Sequence, residues 1–479
     1  MELAFASIAH LKQKLEKKEI SPAELLDYYL KRFEQHDKKL GSALEIFDRE
    51  SILALTKQGG MLAGIPGLIK DVICQQGRIA SAGSQILKNY RAPYDATVVA
   101  RLKEEGALLV GRANCDEFAM GSSNENSSYF PARNPWDTTR VPGGSGGGSA
   151  AAVAAGLIPW ALGTETGGSV RQPAAFCNGV GMRTTYDIVS RFGLIAYGSS
   201  LDQVGVNTRT VHDNATVLSC IVGHDPKDAT SLRVPKVDYT KELTGKIRPG
   251  LKIGVVTNAL GAEGMGTEVQ GILQQVVEQY RKLGATIVDI SIPSFDYSAA
   301  VYFILSRAEA ASNLSRFDGV RYGPRAEAKN LKEMYFKTRG QGFGKEVRRR
   351  ILIGNYVLSA GHAAEFYGNA CKVRELMRQE MHKAFAQADL LFMPVSSAPA
   401  FKLGAFATNS LEMDLQDYFT APANLTGVPA LALPGGFTAE KLPIGFQLMG
   451  PALSESLLYQ TAYAYEQVTE WHTMRPMGY

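Results

Sequence analysis

Cysteine is scarce in this sequence, which contains five cysteines among 479 residues. No two of them form a CxxC pair, and their number is odd. Both features argue against a disulfide framework and against a structural zinc site. We therefore expect reduced and mostly buried thiols at Cys74, Cys115, Cys177, Cys220 and Cys371.

A long hydrophobic run is also lacking. The longest apolar stretch, residues 150–162, contains Gly156 and Pro159 and is too short to cross a bilayer. It predicts a buried helix that runs into a strand. The first five residues, MELAF, show no basic region followed by an apolar segment, so no signal peptide is predicted. We expect a cytoplasmic protein with no membrane partner.

The chain has no strong excess of either charge, because 51 Lys and Arg stand against 47 Asp and Glu, a formal net charge of +4. This balance neither requires nor excludes a nucleic-acid partner. HExxH motifs, clustered carboxylates and dinucleotide-binding fingerprints are absent from the sequence. We therefore predict no metal site and no cofactor on this chain.

Alternating helical and strand patterns are present along the chain. A serine cap, a proline and a glutamate at residues 21–24 predict the start of a helix. Residues 97–110 and 252–290 each show a helix followed by a strand, separated by a glycine stop. This order predicts an α/β protein whose sheet contains parallel pairs and is covered by helices on both faces. Without a repeat or a linker, residues 1–479 are predicted to form a single domain, mostly helical at about residues 308–385.

Lys70 ends the first of three segments that could carry chemistry, residues 64–71 (GIPGLIKD). A strand-like apolar stretch runs directly into this lysine, which would keep its amine in a low dielectric. Taken alone, the pattern favours a surface lysine at the end of a strand.

Ser145 lies in the second segment, residues 142–149 (PGGSGGGS), which precedes an alanine-rich helix. Glycines let backbone N–H groups approach a ligand closely. The Gly-Lys-Ser/Thr ending of a phosphate-binding loop is absent, so nucleotide binding is not predicted. The segment also fits the G-x-S-x-G pattern of a nucleophile elbow, although glycines satisfy that pattern here by abundance.

Ser169 lies in the third segment, residues 163–173 (GTETGGSVRQP). A serine after two glycines can sit beneath several converging backbone N–H groups, which a tetrahedral oxyanion requires. Taken alone, the segment favours an ordinary glycine turn between two elements.

Together, and in this order, the three segments resemble the amidase signature family, whose members use a Ser–cis-Ser–Lys triad. The resemblance implies the amidase signature fold, a large mixed β-sheet covered by helices, with its core at about residues 64–205. It identifies Lys70 as the lysine, Ser145 as the cis-serine and Ser169 as the nucleophile.

The chemistry of such a triad depends on an uncharged lysine. Burial away from anions lowers the pKa of an amine, so a neutral Lys70 could take the proton of Ser145 while Ser145 takes that of Ser169. Ser169 would then attack an amide carbon. Backbone N–H groups of Thr166, Gly167, Gly168 and Ser169 would hold the oxyanion.

The resemblance narrows further to the glutamine-hydrolysing (A-type) subunits of glutamyl-tRNA(Gln)/aspartyl-tRNA(Asn) amidotransferases. It extends from about Ser21 to Gly450 and includes residues 114–123 (NCDEFAMGSS), 342–351 (GFGKEVRRRI) and 422–429 (PANLTGVP). It implies a glutamine amidohydrolase that releases ammonia. It also implies B and C partner subunits in a heterotrimer, with ATP, magnesium and most of the tRNA contacts on a partner.

Substrate-binding residues follow from the same resemblance. Arg350 matches the arginine that binds the α-carboxylate, although Arg349 stays an alternative. Asp417 matches the aspartate that binds the α-amino group, and its pattern also fits a solvated loop carboxylate. Gly121 and Ser122 are expected to line the substrate site.

Two single residues and two short segments depart from the family pattern around the expected site. Gly146 replaces a second serine, and Glu165 replaces an aspartate. Residues 183–187 (RTTYD) and 362–365 (HAAE) also differ from the expected sequences. These departures concern the identity of the amide more than the class of reaction.

Three alternatives remain open from the sequence. The first is a stand-alone amidase that acts on another small amide. The second is a Ser-His-Asp hydrolase with Ser145 as nucleophile and His362 or His472 as base. The third is a catalytically weakened subunit that is kept for assembly of a complex, which Gly146 favours and the intact triad opposes.

Overall fold

A single mixed sheet collects strands from most of the chain. The computed structural model describes residues 3–54 and 59–479. Within them the sheet has 11 strands in the order β1-β3-β2-β4-β6-β5-β10-β11-β9-β7-β8. The strands are β1 Ala43–Ile46, β2 Pro66–Lys70, β3 Leu108–Ala113, β4 Trp160–Glu165, β5 Val180–Arg183, β6 Gln203–Thr208, β7 Lys252–Val256, β8 Thr286–Ile290, β9 Leu390–Pro394, β10 Ala430–Phe437 and β11 Pro443–Met449.

Helices connect and cover these strands. In chain order, the described residues form α1 Ile8–Glu16, α2 Pro22–Leu40, α3 Arg49–Ala54, α4 Thr97–Glu104, α5 Gly147–Ala154, α6 Arg171–Phe176, α7 Val211–Ile221, α8 Thr257–Leu260, α9 Thr267–Lys282, α10 Ser298–Asn313, α11 Leu331–Gly342, α12 Lys345–Val357, α13 Asn369–Phe385, α14 Ser410–Leu415, α15 Ala421–Thr426 and α16 Glu455–Glu466. The predicted helical section at residues 308–385 thus contains the end of α10 and the helices α11 to α13.

Each face of the sheet has its own core. Because side chains alternate along a strand, Leu68 of β2 packs with α2 and α5 residues such as Phe33 and Val153. Its neighbour Ile69 packs on the other face with α4 and α7 residues such as Leu102 and Leu218. The predicted α/β class, with helices on both faces of a large mixed sheet, is confirmed.

The strand order brings two of the expected chemical segments together. Strand β2 lies between β3 and β4 and is parallel to both, with Ile69 opposite Leu162 of β4. Parallel neighbours end at the same edge of a sheet, so Lys70 at the end of β2 lies beside the loop that follows β4. That loop contains Ser169.

Most predicted elements are present, with shifted ends. The capping box at the start of α2 forms, since Ser21 and Glu24 bond to each other's backbone N–H groups. The apolar stretch at residues 150–162 contains the end of α5 and the start of β4, as predicted. The strand predicted at residues 107–110 was too short, because β3 continues to Ala113.

The predicted thiols are present, and four of the five are buried. Cys371 is the exposed exception, and all five are free. Within the described residues, no group of three His, Cys, Asp or Glu side chains is arranged to hold a metal ion. No helix in that part of the chain has the length and the apolar character needed to span a bilayer.

Candidate active site

Lys70 is fully buried at the carboxyl end of β2. Its Nζ atom lies 2.8 Å from Ser145 Oγ and 3.1 Å from the carbonyl oxygen of Thr164 on β4. Burial lowers the pKa of Lys70, and the nearby Cys115 and Asp116 oppose this shift only in part. The interpretation of Lys70 as a surface lysine is therefore wrong, because the neighbouring strands enclose its whole side chain.

Ser145 lies in the loop that leads into α5, and its side chain is fully buried. The peptide bond between Gly144 and Ser145 is cis. Asp116 holds this loop in place through two contacts. Its backbone N–H donates a hydrogen bond of 3.2 Å to the Ser145 carbonyl oxygen. Its carboxylate occupies the space that a side chain at Gly144 would need. The Ser145 hydroxyl is thus held against the Lys70 amine.

Ser169 lies in the loop between β4 and α6 and is 5% exposed. Its carbonyl oxygen accepts a hydrogen bond of 3.1 Å from the Gly146 N–H. A side-chain carbon at position 146 would lie 2.5 Å from this carbonyl oxygen and 3.9 Å from Lys70 Nζ. The three segments that carry Lys70, Ser145 and Ser169 therefore meet around Gly146.

This contact also explains the departure at Gly146. A serine there would overlap the Ser169 carbonyl oxygen unless one of the two loops moved. Glycine allows the close approach, and its N–H joins the two loops. The hydroxyl expected from the resemblance is therefore absent at this position, where the two main chains approach closely.

The residues before Ser169 lie in the loop that is predicted to hold the oxyanion. Among the residues that the structure describes, the backbone N–H groups of Gly167, Gly168 and Ser169 have no acceptor. The loop is held from both sides, because Thr420 Oγ1 donates to the Gly167 carbonyl (2.6 Å) and Thr166 Oγ1 donates to Asp202 (2.6 Å). Three adjacent N–H donors are thus fixed without a protein partner, as an oxyanion site requires.

Glu165 anchors the start of α6 directly behind this loop. Its carboxylate accepts the backbone N–H groups of Val170 and Arg171, both at 3.1 Å, and pairs with the Arg171 guanidinium. Arg171 lowers the pKa of Glu165 against the effect of its complete burial. Glutamate in place of aspartate therefore still supplies an ionised carboxylate here, and both of its oxygens accept hydrogen bonds.

Arg350 lies on the buried side of α12. Its Nε donates to Glu346 (2.6 Å), one terminal nitrogen donates to the Tyr197 hydroxyl (2.7 Å), and its side chain is 3% exposed. Arg349 points elsewhere and bonds to Glu346 and Asp414, with 26% of its side chain exposed. The structure thus places Arg350, and not Arg349, on the inward face of the helix.

Asp417 is buried, so its interpretation as a solvated loop carboxylate is wrong. It accepts a hydrogen bond of 3.2 Å from Ser122, which joins two of the residues predicted to bind substrate. Burial raises the pKa of Asp417 to about 7, while the charges of Arg350 and Arg307 oppose the rise. Gly121 lies against Asp116, because a side-chain carbon there would come within 2.5 Å of the Asp116 carboxyl carbon.

The two longer departures occupy different places. Arg183 is completely buried beneath the oxyanion loop and donates to the carbonyls of Glu165 (3.4 Å) and Leu201 (3.2 Å). His362 instead lies near the surface and stacks on Tyr356 with ring centroids 4.2 Å apart. Arg183 therefore supports the start of this loop, whereas no contact of His362 within the described residues reaches the triad.

The Ser-His-Asp alternative finds no support in this geometry. Within residues 3–54 and 59–479, neither His362 nor His472 forms a hydrogen bond to Ser145. The group that does so is Lys70.

Several supporting residues were missed by sequence reasoning. Asp202 and Thr420 lie far along the chain from the groups that they hold, and neither belongs to a motif. Glu346 lies four residues before Arg350, within residues 342–351, but that segment gave no sign that it supports Arg350. Asp116 could have been found, because it lies within residues 114–123, but its segment gave no sign that it supports the Ser145 loop.

Comparisons with known proteins identify the family of this chain. The sequence model of the family described as Amidase matches residues 24–459. The A subunit of glutamyl-tRNA(Gln) amidotransferase from Trichodesmium erythraeum is 47% identical over 98% of this chain and 99% of its own length. The corresponding protein of Chloroflexus aurantiacus is 54% identical over 87% of this chain and 85% of its own length.

A solved structure extends this likeness to three dimensions. The crystal structure of the A subunit of glutamyl-tRNA(Gln) amidotransferase from Thermotoga maritima has a TM-score of 0.84 and 38% sequence identity, and the match covers 100% of this chain and 98% of that one. The family model, the relatives and the fold agree along nearly the whole chain. This chain therefore belongs to the amidase signature family.

Proposed function

We propose that this chain hydrolyses the side-chain amide of glutamine and releases ammonia, as the A subunit of an aminoacyl-tRNA amidotransferase. The observation that carries the proposal is the buried contact of 2.8 Å between Lys70 Nζ and Ser145 Oγ, at the point where the Ser169 loop meets Gly146. The relatives with glutamyl-tRNA(Gln) amidotransferase names support the choice of glutamine.

The acylation step begins with an uncharged amine. Burial lowers the pKa of Lys70, so its neutral form can accept the proton of Ser145 as Ser145 accepts that of Ser169. The Ser169 oxygen attacks the amide carbon, and the N–H groups of Gly167 to Ser169 stabilise the oxyanion. Each such donor contributes about 3 kcal/mol to catalysis in well-studied cases.

The relayed proton then leaves with the nitrogen. The C–N bond of the tetrahedral intermediate breaks, the departing amine takes the proton that Ser145 returns, and ammonia is released. Water attacks the remaining ester on Ser169, with the same lysine amine as base, and glutamate leaves. Lys70 is neutral again at the end of the cycle.

Recognition of a free amino acid is assigned to the two buried charges. Arg350 has N–H groups left for the α-carboxylate, and Asp417 is placed for the α-ammonium group. An arginine and a carboxylate form strong paired hydrogen bonds, particularly where water is excluded.

The same proposal includes partner subunits. By likeness to the named relatives, B and C subunits would receive the ammonia, hold ATP and magnesium, and make most of the tRNA contacts in the cytoplasm. This chain would contribute the ammonia-producing site alone.

Ammonia release from L-glutamine tests the proposal, with the wild-type chain compared with Ser169→Ala. We expect release by the wild type, stimulated when partner subunits are present, and none by the variant. A covalent serine probe followed by peptide mapping gives an independent readout. Label on Ser169 supports the proposal, whereas label on Ser145 would contradict it.

The amide preference distinguishes the stand-alone amidase from the amidotransferase. The lone chain could hydrolyse other small amides efficiently while the assembled complex released no ammonia from glutamine. That result would show that another small amide, and not glutamine, is the substrate. Absence of ammonia release from every amide would point to a subunit retained for assembly.

A further inference from the structure

Three arginines and two acids form a cluster beside the predicted substrate-binding residues. Arg307 comes from α10, Arg349, Arg350 and Glu346 come from α12, and Asp414 comes from α14. We call these five residues the arginine cluster. Arg307 and Asp414 are 1% and 8% exposed, and buried charges of this kind are stable only when they are paired.

Asp414 holds two of the three arginines. Its carboxylate accepts hydrogen bonds from Arg307 and, at 3.0 and 3.2 Å, from Arg349. The nearest nitrogen of Arg350 stays 3.7 Å away. Asp414 therefore restrains Arg307 and Arg349 and leaves the free N–H groups of Arg350 to a carboxylate from outside the cluster.

Arg307 also lies within electrostatic reach of Asp417. The charges of Arg350 and Arg307 both lower the pKa of Asp417 against the rise caused by burial, and Asp414 raises it. Asp414 lies in α14 and Asp417 lies two residues beyond its end, so the two buried carboxylates belong to one short segment. In the structure Arg307 bonds to the first of them.

Besides Asp414, the Arg307 guanidinium lies over the Phe303 ring at 4.3 Å and near the Tyr302 ring at 5.9 Å, and neither ring supplies a counter-charge. One terminal nitrogen donates to the Ser306 hydroxyl (2.9 Å), and its Nε has no partner within the described part of the chain. A buried guanidinium that lost Asp414 would be left without a counter-charge, and such a charge seeks the next carboxylate. Asp417 is the carboxylate on which Arg307 already acts.

We propose that Asp414 determines specificity for amides with a free α-amino group, because its pairing with Arg307 keeps that guanidinium away from Asp417. Asp417 then stays free for the α-ammonium group of the substrate. This inference rests on the proposed function and deepens it, since it assigns α-amino recognition to a pair of residues that do not themselves bind the substrate. Asp414 is a positioning residue in this scheme.

Competition between Arg307 and the substrate ammonium predicts a result that a purely structural ion pair would not give. When Asp414 is replaced by asparagine, Arg307 is expected to turn to Asp417 and to compete with the substrate ammonium. Removal of Arg307 in the same chain should then restore recognition, because no competing cation remains. A pair that only stabilised the fold would give no such rescue.

Binding to the full chain in the Ser169→Ala background tests this without turnover. Calorimetry would measure L-glutamine and 4-carbamoylbutanoate, which is glutamine without its α-amino group. For Asp414→Asn we expect affinity for L-glutamine to fall about tenfold or more, as loss of a charged hydrogen bond implies, and affinity for the des-amino amide to change less than about twofold.

The double variant Asp414→Asn/Arg307→Met should return glutamine affinity to within about threefold of the parent. It removes both charges of the pair, so it also keeps the test valid if the single variant folds poorly. Asp389→Asn is a matched control, because it breaks an aspartate–arginine pair with Arg248 at the surface. That control should leave both affinities unchanged.

The outcomes separate this inference from the proposed function. If the Ser169→Ala parent does not bind L-glutamine, the proposed function fails and the inference fails with it. If the parent binds glutamine and Asp414→Asn binds it equally well, only the inference is overturned. An equal loss for both amides, or a double variant as weak as the single one, would also overturn it.

Discussion

At the scale of single residues, the site depends on how burial changes the charge of ordinary side chains. A lysine and an aspartate titrate far from neutral pH in water, at about 10.4 and 3.9. In this chain burial lowers the pKa of Lys70 and raises that of Asp417 to about 7. The lowered pKa suits Lys70 as a base, whereas Asp417 attracts an ammonium group only while it is ionised.

Substrate affinity should therefore depend on pH through Asp417. Its ionised form attracts the α-ammonium group, and a group with a pKa of about 7 loses that form as the pH falls. In the Ser169→Ala background, affinity for L-glutamine should weaken about tenfold between pH 8 and pH 6. The measurement is calorimetry across this range, with 4-carbamoylbutanoate as a control whose affinity stays flat. Identical profiles for the two amides would contradict the assignment of Asp417.

The sequence predicted that Lys70, Ser145 and Ser169 belong to one site, and the structure brings their three segments together. The sequence could not decide between Arg349 and Arg350, since adjacent arginines look alike in a sequence. The helix decides it: successive residues point about 100° apart, and only Arg350 faces the interior beside Tyr197. The partnership of Arg307 with Asp414 was also invisible, because 107 residues separate them.

At the scale of elements, the proposed mechanism depends most on the loop between β4 and α6. Glu165 fixes its far end, Thr420 fixes Gly167, and Asp202 fixes Thr166. These contacts hold the oxyanion donors in place before any substrate arrives, which is the arrangement that lowers a barrier most effectively.

Gly168→Ala tests the positioning of this loop. The added methyl would lie 2.2 Å from Thr420 Oγ1, so either the threonine or the loop must move and the N–H donors shift. We expect kcat for glutamine hydrolysis to fall about 100-fold, with little change in KM. Steady-state kinetics gives both constants.

Gly271→Ala is the matched control for that substitution. Gly271 lies within α9, and no described atom lies within 4 Å of the added methyl. It should leave both constants unchanged and raise helix stability slightly. If Gly168→Ala were equally silent, the oxyanion loop would not be where we place it.

Element boundaries show what could and could not be predicted from the sequence. Caps are local, so the start of α2 at Ser21 was readable from four residues. The end of β3 was missed because Arg112 interrupts the apolar pattern. That arginine is buried all the same, since it pairs with Asp71 (2.5 Å) and Glu45 (2.8 Å), which come from other segments.

At the scale of the whole molecule, the sheet joins strands from residue 43 to residue 449 and its order does not follow the chain. The α/β class could be predicted because strands and helices alternate with glycine stops. The order of the strands could not, because it depends on pairing between segments more than 100 residues apart, such as β5 with β10. That order is nevertheless what places Lys70 beside the loop of Ser169.

The folded molecule also contains buried acids away from the site, and these predict how its stability changes with pH. Burial raises the pKa of Glu466 to about 8, and Asp213 adds to the rise. Between its unfolded value of 4.5 and about 8, the folded state keeps a proton that the unfolded state has lost. Stability therefore falls as the pH rises through this window, and the contribution is complete only below pH 4.5.

Glu466→Gln should remove this dependence. Glutamine keeps an oxygen that can accept the Val211 N–H, which bonds to Glu466 at 2.7 Å, and it cannot ionise. The variant should melt at a higher temperature than the wild type at pH 8.5 and at a similar temperature at pH 5. Glu470→Gln is the control, because it makes the same change from carboxylate to amide at an exposed position four residues away. Parallel melting curves for wild type and Glu466→Gln at both pH values would contradict this expectation.

Ammonia release by Lys70→Arg and Lys70→Met tests the central claim most directly. Arginine keeps the positive charge and cannot give up its proton, whereas methionine keeps the length of the chain without the amine. Because the mechanism requires an uncharged amine as base, both variants should lose about a thousandfold or more in kcat for glutamine, with folding checked by circular dichroism. Ammonia release at the wild-type rate by Lys70→Arg would contradict this mechanism. That result would show that the site needs a positive charge at this position and does not need a base there.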